Sequence, residues 1–415
     1  MMAAGALDFS FGGDGMVTTQ IGATSSFVSA LVIQDDGGIV AAGKSVGAKT
    51  EHDFTLARYR ADGTLDSGFG NGGIVTTAMG KKSDAINAIA LQSDGKIIAG
   101  GGVDLYKGSS YPFDSQYAFA LTRYNRDGSL DSSFGSGGKV IHDWNTKLDD
   151  SIRDLALQSD GKLVAIGGIG DSQLANPGAN MLVARYNSAG KLDTTFGVGG
   201  LANIDLGGDE FGMGVVIQPD AKIAVAGMTN VLGTYDFALV RLNANGSRDT
   251  SFGSNGVVIT DVITGLARNN RAYDIELQTD GKLVVAGSIE AYSGSVVARY
   301  LPNGTLDSTF GQDRDANGTL DGITVNHKIE NGDSLAIDAS GRIVVAGIYF
   351  SPDALDPTSE NWDEDFAVAR YNSDGTPDLD FGAGGVAQID VTGTNYDGAL
   401  AVAVQPDGNI VAGGY

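Results

Sequence analysis

The dipeptide Phe-Gly, preceded by a turn Asp and usually followed by a second Gly, recurs at Phe11, Phe69, Phe134, Phe196, Phe252, Phe310 and Phe381, at spacings of 58, 65, 62, 56, 58 and 71 residues. A period of this length constrains the fold more than any other feature, because each unit must bury its apolar face against its neighbours. Two more motifs run in phase with it. Gln-x-Asp-Gly-Lys followed by a small apolar run and Gly, as in Gln92 to Gly100, Gln158 to Gly167 and Gln278 to Gly287, appears seven times. Phe-Ala-Leu-x-Arg-Tyr-Asn-x-Asp-Gly, centred on Arg58, Arg123, Arg185, Arg241, Arg299 and Arg370, appears six times.

Each unit reads as four short strands. Ala88 to Leu91 alternates small and branched residues, Asp94-Gly95 signals a type I′ hairpin, and Lys96 to Ala99 returns. The Arg-Tyr segment supplies a third strand, and a stretch such as Gly138 to Ile141 a fourth. Apolar residues never recur at helical spacing over ten or more positions, so the fold is all-β. Hairpin-rich units of this length predict one domain over 1–415, a seven-bladed β-propeller of four-stranded antiparallel blades. Its units fall near 11–68, 69–133, 134–195, 196–251, 252–309, 310–380 and 381–415. A right-handed β-helix is the alternative, with shorter rungs and fewer hairpins. The chain opens on a Phe-Gly loop and Met16 to Thr19, and closes at Ile410 to Gly413 before any Arg-Tyr segment. The last blade is therefore expected to borrow Met16 to Thr19 as an outer strand and to lack one other strand, either because this sequence is a piece of a longer protein, the favoured reading, or because the blade is naturally three-stranded.

Leu130-Asp131-Ser132-Ser133-Phe134-Gly135, Asp94-Gly95-Lys96-Ile97 and Ala184-Arg185-Tyr186-Asn187 resemble the bacterial delta-60 repeat family over essentially the whole chain. The resemblance implies a propeller-type fold in large, often secreted or surface proteins, and carries no catalytic residues with it.

Composition excludes several chemistries. The chain has no Cys, which removes disulfides, thiolate metal sites and a thiol nucleophile. A net charge of −24 repels phosphate backbones, so neither nucleic acid nor an anionic membrane surface is an expected partner. With 42% hydrophobic residues and mean hydropathy of −0.02 the chain can build a core, yet no apolar run reaches the ~18 residues of a membrane span. The opening segment has no signal-peptide pattern.

Residues repeated in every unit serve the fold, since one active site needs no such repetition. The six Arg are expected to pair with the turn residues Asp66, Asp131, Asp193, Asp249, Asp307 and Asp378. Function is sought where the symmetry breaks. Asp313-Arg314-Asp315-Ala316-Asn317-Gly318-Thr319-Leu320-Asp321-Gly322 follows only the sixth Phe-Gly. Its oxygens at alternate positions suit Ca²⁺, with Asp313, Asp315, Asn317 and Asp321 as side-chain ligands and Thr319 giving a carbonyl. A plain Asp/Asn/Gly turn is the competing reading.

Eight residues before each Gln-x-Asp-Gly position stand Ser26, Asp84, Asp150, Glu210, Asn270, Glu330 and Asp397. At the start of each innermost strand they would ring one channel mouth, either merely solvated or holding a divalent cation, most plausibly Ca²⁺. Asn87, Arg153, Asp154, Tyr273, Asp274, Asp333 and Tyr396 diverge nearby. Two functions are carried. One is a secreted, calcium-stabilised, monomeric binding or scaffold module for a small molecule, glycan or protein. The other is a Ca²⁺-dependent hydrolase of esters, lactones or phosphotriesters, with Asp84, Asp150, Glu210, Asn270, Glu330 and Asp397 as its candidate pool.

Overall fold

A computed structural model describes residues 4–415 apart from 23–24, 48–50, 106–116, 145–149, 170–178, 264–267, 291–293, 315–317, 351–363 and 392–396. The described residues contain strands and turns and no helix. Blade one is β1 (Ser26–Ile33), β2 (Ile39–Ser45), β3 (Asp53–Tyr59) and β4 (Ile74–Thr77). Blade two is β5 (Asp84–Leu91), β6 (Ile97–Asp104), β7 (Tyr117–Tyr124) and β8 (Lys139–His142). Blade three is β9 (Asp150–Leu157), β10 (Leu163–Ile169), β11 (Asn180–Tyr186) and β12 (Leu201–Ile204). Blade four is β13 (Glu210–Ile217), β14 (Ile223–Thr229), β15 (Asp236–Leu242) and β16 (Val257–Thr260). Blade five is β17 (Asn270–Leu277), β18 (Leu283–Ile289), β19 (Gly294–Tyr300) and β20 (Ile323–Asn326). Blade six is β21 (Ser334–Ile337), β22 (Ile343–Phe350), β23 (Glu364–Tyr371) and β24 (Val386–Ile389). A two-stranded sheet of β25 (Ala399–Val404) and β26 (Ile410–Gly414) follows.

All pairings within the sheets are antiparallel and sequential. The first strands stand side by side around the axis, and β25 sits between β21 and β1, so the hairpin closes the ring. The expectation of seven four-stranded blades is corrected: six blades are complete and the last unit is a hairpin. Met16 to Thr19 is likewise an extended arm and not the expected outer strand, because no strand of the described residues lies beside it to pair with. The arm still clasps the ring. Its Ala4 carbonyl accepts from Gly382 N (2.9 Å) on blade six, and its Gly12 N donates to Asp62 O (2.9 Å) on blade one.

The core lies between blades. Phe54, Leu56 and Val40 of blade one pack with Ile97, Ala99 and Val103 of blade two, and the same two-blade clusters recur around the ring. Where the motifs meet, one guanidinium serves three purposes. Arg123 bonds Asp131 (Nε–Oδ2 2.8 Å), donates to Ser188 O of the next blade (2.6 Å), and lies 4.7 Å above the Phe134 ring. The motif Lys joins the same carboxylate, Lys96 Nζ lying 2.9 Å from Asp131. All six expected Arg–Asp pairs form. A buried guanidinium without its carboxylate would be costly, so motif and fold require each other.

The Asp-Gly hairpins differ from expectation. Asp94 keeps an ordinary φ while Gly95 lies at +80°, and Lys96 N donates to Asp94 Oδ1 (3.1 Å). A type I′ turn needs positive φ at both central residues, so this loop is a type I turn closed by one left-handed residue. In blade four that left-handed residue is Ala221, at φ 63°.

Candidate functional site

The seven positions counted back from the Gln motifs stand at or just before the starts of the inner strands. Asp84, Asp150, Glu210, Asn270 and Asp397 are each at most 1% exposed, sealed in the seam with the preceding blade. Backbone bonds fix them there: Asp84 N to His52 O (2.9 Å), Glu210 N to Ala179 O (2.8 Å), Asn270 N to Tyr235 O (2.6 Å) and Asp397 N to Glu364 O (2.8 Å). The side chains then cap the loop entering their own strand. Asp84 accepts from Met79 N (2.7 Å) and Gly80 N (2.9 Å), and Glu210 from Gly208 N (2.9 Å) and Thr229 Oγ1 (3.0 Å). Burial still pushes the Asp84 carboxyl up to about 6, against the pull of those two donors. Ser26 is half-buried at the start of β1, and Glu330 precedes β21 and is half-buried.

Two seams contrast in charge. Asn270 Nδ2 lies 3.3 Å from Asp236 Oδ1 and 3.5 Å from Asp261 Oδ1, so an amide sits between two carboxylates. At the equivalent place between blade six and the hairpin stands Asp397. Its carboxylate, with Asp365 and Asp390, offers three oxygens all within 4.8 Å of one another. Three hard oxygen donors at this separation suit a divalent cation such as Ca²⁺.

Inside the channel, β-bulges re-aim the inner strands. Register shifts leave Ser29, Asn87, Arg153, Met213, Tyr273 and Leu400 as extra residues on β1, β5, β9, β13, β17 and β25. Side chains at or beside these bulges stitch one blade to the next. Asn87 Nδ2 donates to Ile152 O (2.7 Å), Asp154 accepts from Val215 N (2.8 Å), and Asp274 accepts from Leu335 N (2.8 Å). Asp154, Asp274 and Glu276 are close enough to perturb one another. Burial raises Asp154 to about 6, and burial with the Asp154 charge raises Glu276 to about 7. Asp274 rises well above 3.8 through burial and both neighbouring charges.

A second cluster occupies the end at which the inner strands start. Burial and the Glu364 charge raise Glu330 to about 7, and burial and the Glu330 charge raise Asp333 to about 7. Burial raises Glu364 as well. Two phenols adjoin them. Tyr415 is raised by burial and by Glu364, Asp333, Glu330 and Asp397 in turn, and Tyr273, near Asp333, accepts a hydrogen bond from Ser288 Oγ (3.3 Å). No Lys or Arg of the described residues forms an ion pair with Glu330, Asp333 or Glu364. Asp333 was legible as a break in the repeat, whereas Glu364 and Tyr415 fall outside the motifs, and no count along the chain reaches them. Tyr396 lies outside the described residues.

In the insertion loop, Asp315 and Asn317 also lie outside the described residues. Asp313 Oδ2 accepts from Gly318 N (2.9 Å), Thr319 lies in the same turn, and Asp321 is paired with Arg314 (Nε–Oδ2 2.9 Å). His142 stacks on Trp144 and on Tyr186, with ring centroids 5.1 and 5.5 Å apart.

Six complete four-stranded sheets, closed into a ring by the last hairpin, define a β-propeller. The family described as "Domain of unknown function (DUF5122) beta-propeller" matches residues 34–69, 92–134, 158–196, 218–252, 278–310 and 339–381, one stretch per complete blade. The chain belongs to this family, and the six matches agree with six four-stranded blades. No curated protein matches the sequence. Among solved structures, a gluconolactonase from Xanthomonas campestris is 14% identical over 76% of this chain and 80% of its own, with a TM-score of 0.39. Sqt1 from Chaetomium thermophilum is 13% identical over 93% of each chain, with a TM-score of 0.46. The GH74 xyloglucanase from Xanthomonas campestris is 13% identical, with a TM-score of 0.47, over 100% of this chain and 51% of its own. Among the described residues no helix is long and apolar enough to cross a membrane.

Proposed function

We propose that this propeller is a binding module that takes a cationic ligand, Ca²⁺ first among candidates, at the channel end lined by Glu330, Asp333, Glu364 and Tyr415. One observation carries the reading: these carboxylates crowd together without a basic partner among the described residues, with Glu330 and Asp333 raised to about 7 and Glu364 raised by burial. An arriving cation supplies the missing counter-charge and displaces protons, so binding is coupled to pH. Asp154 has both oxygens bonded to backbone N–H groups, and Asp84 and Glu210 each have one oxygen held in the same way, which gives these carboxylates a structural part and favours binding over hydrolysis. The proposal also places Ca²⁺ at the insertion loop, where Asp321 exchanges Arg314 for the ion, and places the protein outside the cell, following its likeness to delta-60 repeats.

Calorimetric titration with CaCl₂ at pH 7 in two buffers of different ionisation enthalpy tests the channel site. Saturable binding with proton release, weakened at least about tenfold in Glu330→Gln/Asp333→Asn, is expected. Equal binding by the variant moves the ion elsewhere, and no binding removes the cationic ligand. Hydrolysis of an ester, lactone or phosphotriester panel that is lost in the same variant would replace the binding reading with the enzymatic one.

A further inference from the structure

The seams between blades show a repeated shortage of donors. Asp84 Oδ1, Glu210 Oε2 and Asn270 Oδ1 are buried oxygens that receive no hydrogen bond among the described residues. Each belongs to the first residue of an inner strand, β5, β13 or β17. A buried acceptor without a donor is costly, and its return at one position in three seams asks for a partner of positive charge.

The seam between blades four and five shows the chemistry of that partner. Antiparallel pairing of Phe237 with Thr260 sets Asp236, which opens β15, beside Asp261, which follows β16. Asn270, fully buried on the next blade, reaches between them: its Nδ2 lies 3.3 Å from Asp236 Oδ1 and 3.5 Å from Asp261 Oδ1. Ile263 N donates to the same Asp261 oxygen (3.1 Å), which fixes its direction. Asp236 is 2% exposed, and neither carboxylate forms an ion pair with a Lys or Arg of the described residues. Across the seam the two acids therefore share one neutral amide, through contacts at the long end of the hydrogen-bond range. Turning the amide over aims its oxygen at both carboxylates, and three oxygens then face one another with no donor between them. Neither orientation satisfies all three side chains from the protein alone.

We infer that this seam is a divalent-cation site for Ca²⁺, with Asp236 Oδ1, Asp261 Oδ1 and the turned Asn270 Oδ1 as its protein ligands. A cation among the three oxygens supplies at once the positive charge that the acids lack and the partner that the amide oxygen lacks. The seam between blade six and the hairpin repeats the arrangement. Pairing of Phe366 with Ile389 sets Asp365 beside Asp390, and Asp397 takes the place of Asn270, with oxygens of the three within 4.8 Å of one another. The two seams are weak and strong versions of one site, in which an ion ties a residue of one blade to two of its neighbour. A proton on Asp236, whose carboxyl burial and the Asp261 charge hold above the ordinary range, competes with the ion. The site is separate from the cation proposed at Glu330 and Asp333.

The test counts calcium bound to the full chain after equilibrium dialysis, in the Glu330→Gln/Asp333→Asn background that removes the channel site. Adding Asp236→Asn/Asp261→Asn should lower the count by one ion per chain, and an unchanged count overturns the inference. Asn270→Asp in the same background supplies the third carboxylate of the hairpin seam. Its urea midpoint should fall in EGTA and recover in millimolar CaCl₂, with calcium bound at least about tenfold more tightly. A midpoint lowered equally with and without calcium makes Asn270 a hydrogen-bond donor only and also overturns the inference. Should the double substitution unfold the chain, the Asn270→Asp comparison decides alone. If the channel takes no cation, both results stand unchanged, so the two readings fail separately.

Discussion

Replacing Glu276 with Gln separates the channel's electrostatics from its packing. Glu276 is surrounded by protein and faces Asp154 across the inner strands, and together these raise its carboxyl from 4.5 to about 7. The folded state therefore holds a proton that the unfolded chain has lost, so stability declines as pH rises from about 4.5 through 7. A shift of this size corresponds to about 3 kcal/mol at most, which water in the channel reduces to roughly 1–3 kcal/mol. Asp154, raised to about 6, and Asp274 act in the same direction. The wild type should thus gain stability between pH 8 and pH 5, where many proteins are flat. Glu276→Gln keeps the side-chain volume, removes one charge and relieves its neighbours, so its gain over wild type should be present at pH 8 and absent at pH 5. In a chain of this length 1 kcal/mol moves the melting temperature by only about 1 °C, so urea midpoints at the two pH values are the better readout. A wild-type midpoint that does not change between pH 5 and 8, or a variant with the wild-type slope, would refute the reasoning.

Two further substitutions probe the repeat itself. Asp193→Ala leaves Arg185 and Lys162 facing one another in a seam where Arg185 is 5% exposed, and should cost about 3–5 kcal/mol in a urea titration; Asp66→Ala, at a position whose carboxylate side chain is 23% exposed, should cost visibly less. Ala221→Gly relieves a left-handed Ala and should stabilise by roughly 0.5–1 kcal/mol, checked by the same titration. A loss in this glycine variant would mean that the hairpin of blade four is shaped by something other than backbone strain.

What was legible along the chain was what the repeat expresses many times. Arg, Asp and Phe recur at fixed offsets because a single guanidinium must satisfy a carboxylate, a carbonyl of the next blade and a ring, so the pairing Arg123–Asp131 could be read without coordinates. The blade count was not legible in the same way. Seven Phe-Gly copies suggest seven blades, yet a blade also needs its Arg-Tyr strand, and only six of those exist. Counting the rarer motif would have given the number of complete sheets. The hairpin type failed for a comparable reason: Asp-Gly permits two loop lengths, and the Lys amide bonded to Asp94 Oδ1 selects the longer one.

The channel was harder to read because its geometry rests on bulges. One extra residue in each of six inner strands reverses which side chains face the axis, so counting from the Gln motif led to Asp84 and Glu210, which the strand start buries in seams. The residues that reach the axis, Asp154 and Asp274, stand beside the bulge and had been visible only as departures from the repeat. Departure is also what remains once the fold has used its symmetric residues. Asp154 and Asp274 each bond an N–H on the following blade, Val215 and Leu335, while Glu330 and Asp333 do not belong to any repeated hydrogen bond. If the ring needed its acidic residues only as stitches, Glu330 and Asp333 would have no reason to be charged, and their raised proton affinity would be a cost without return. That cost, carried at one end of the channel and between two phenols, is what a cation arriving there would offset.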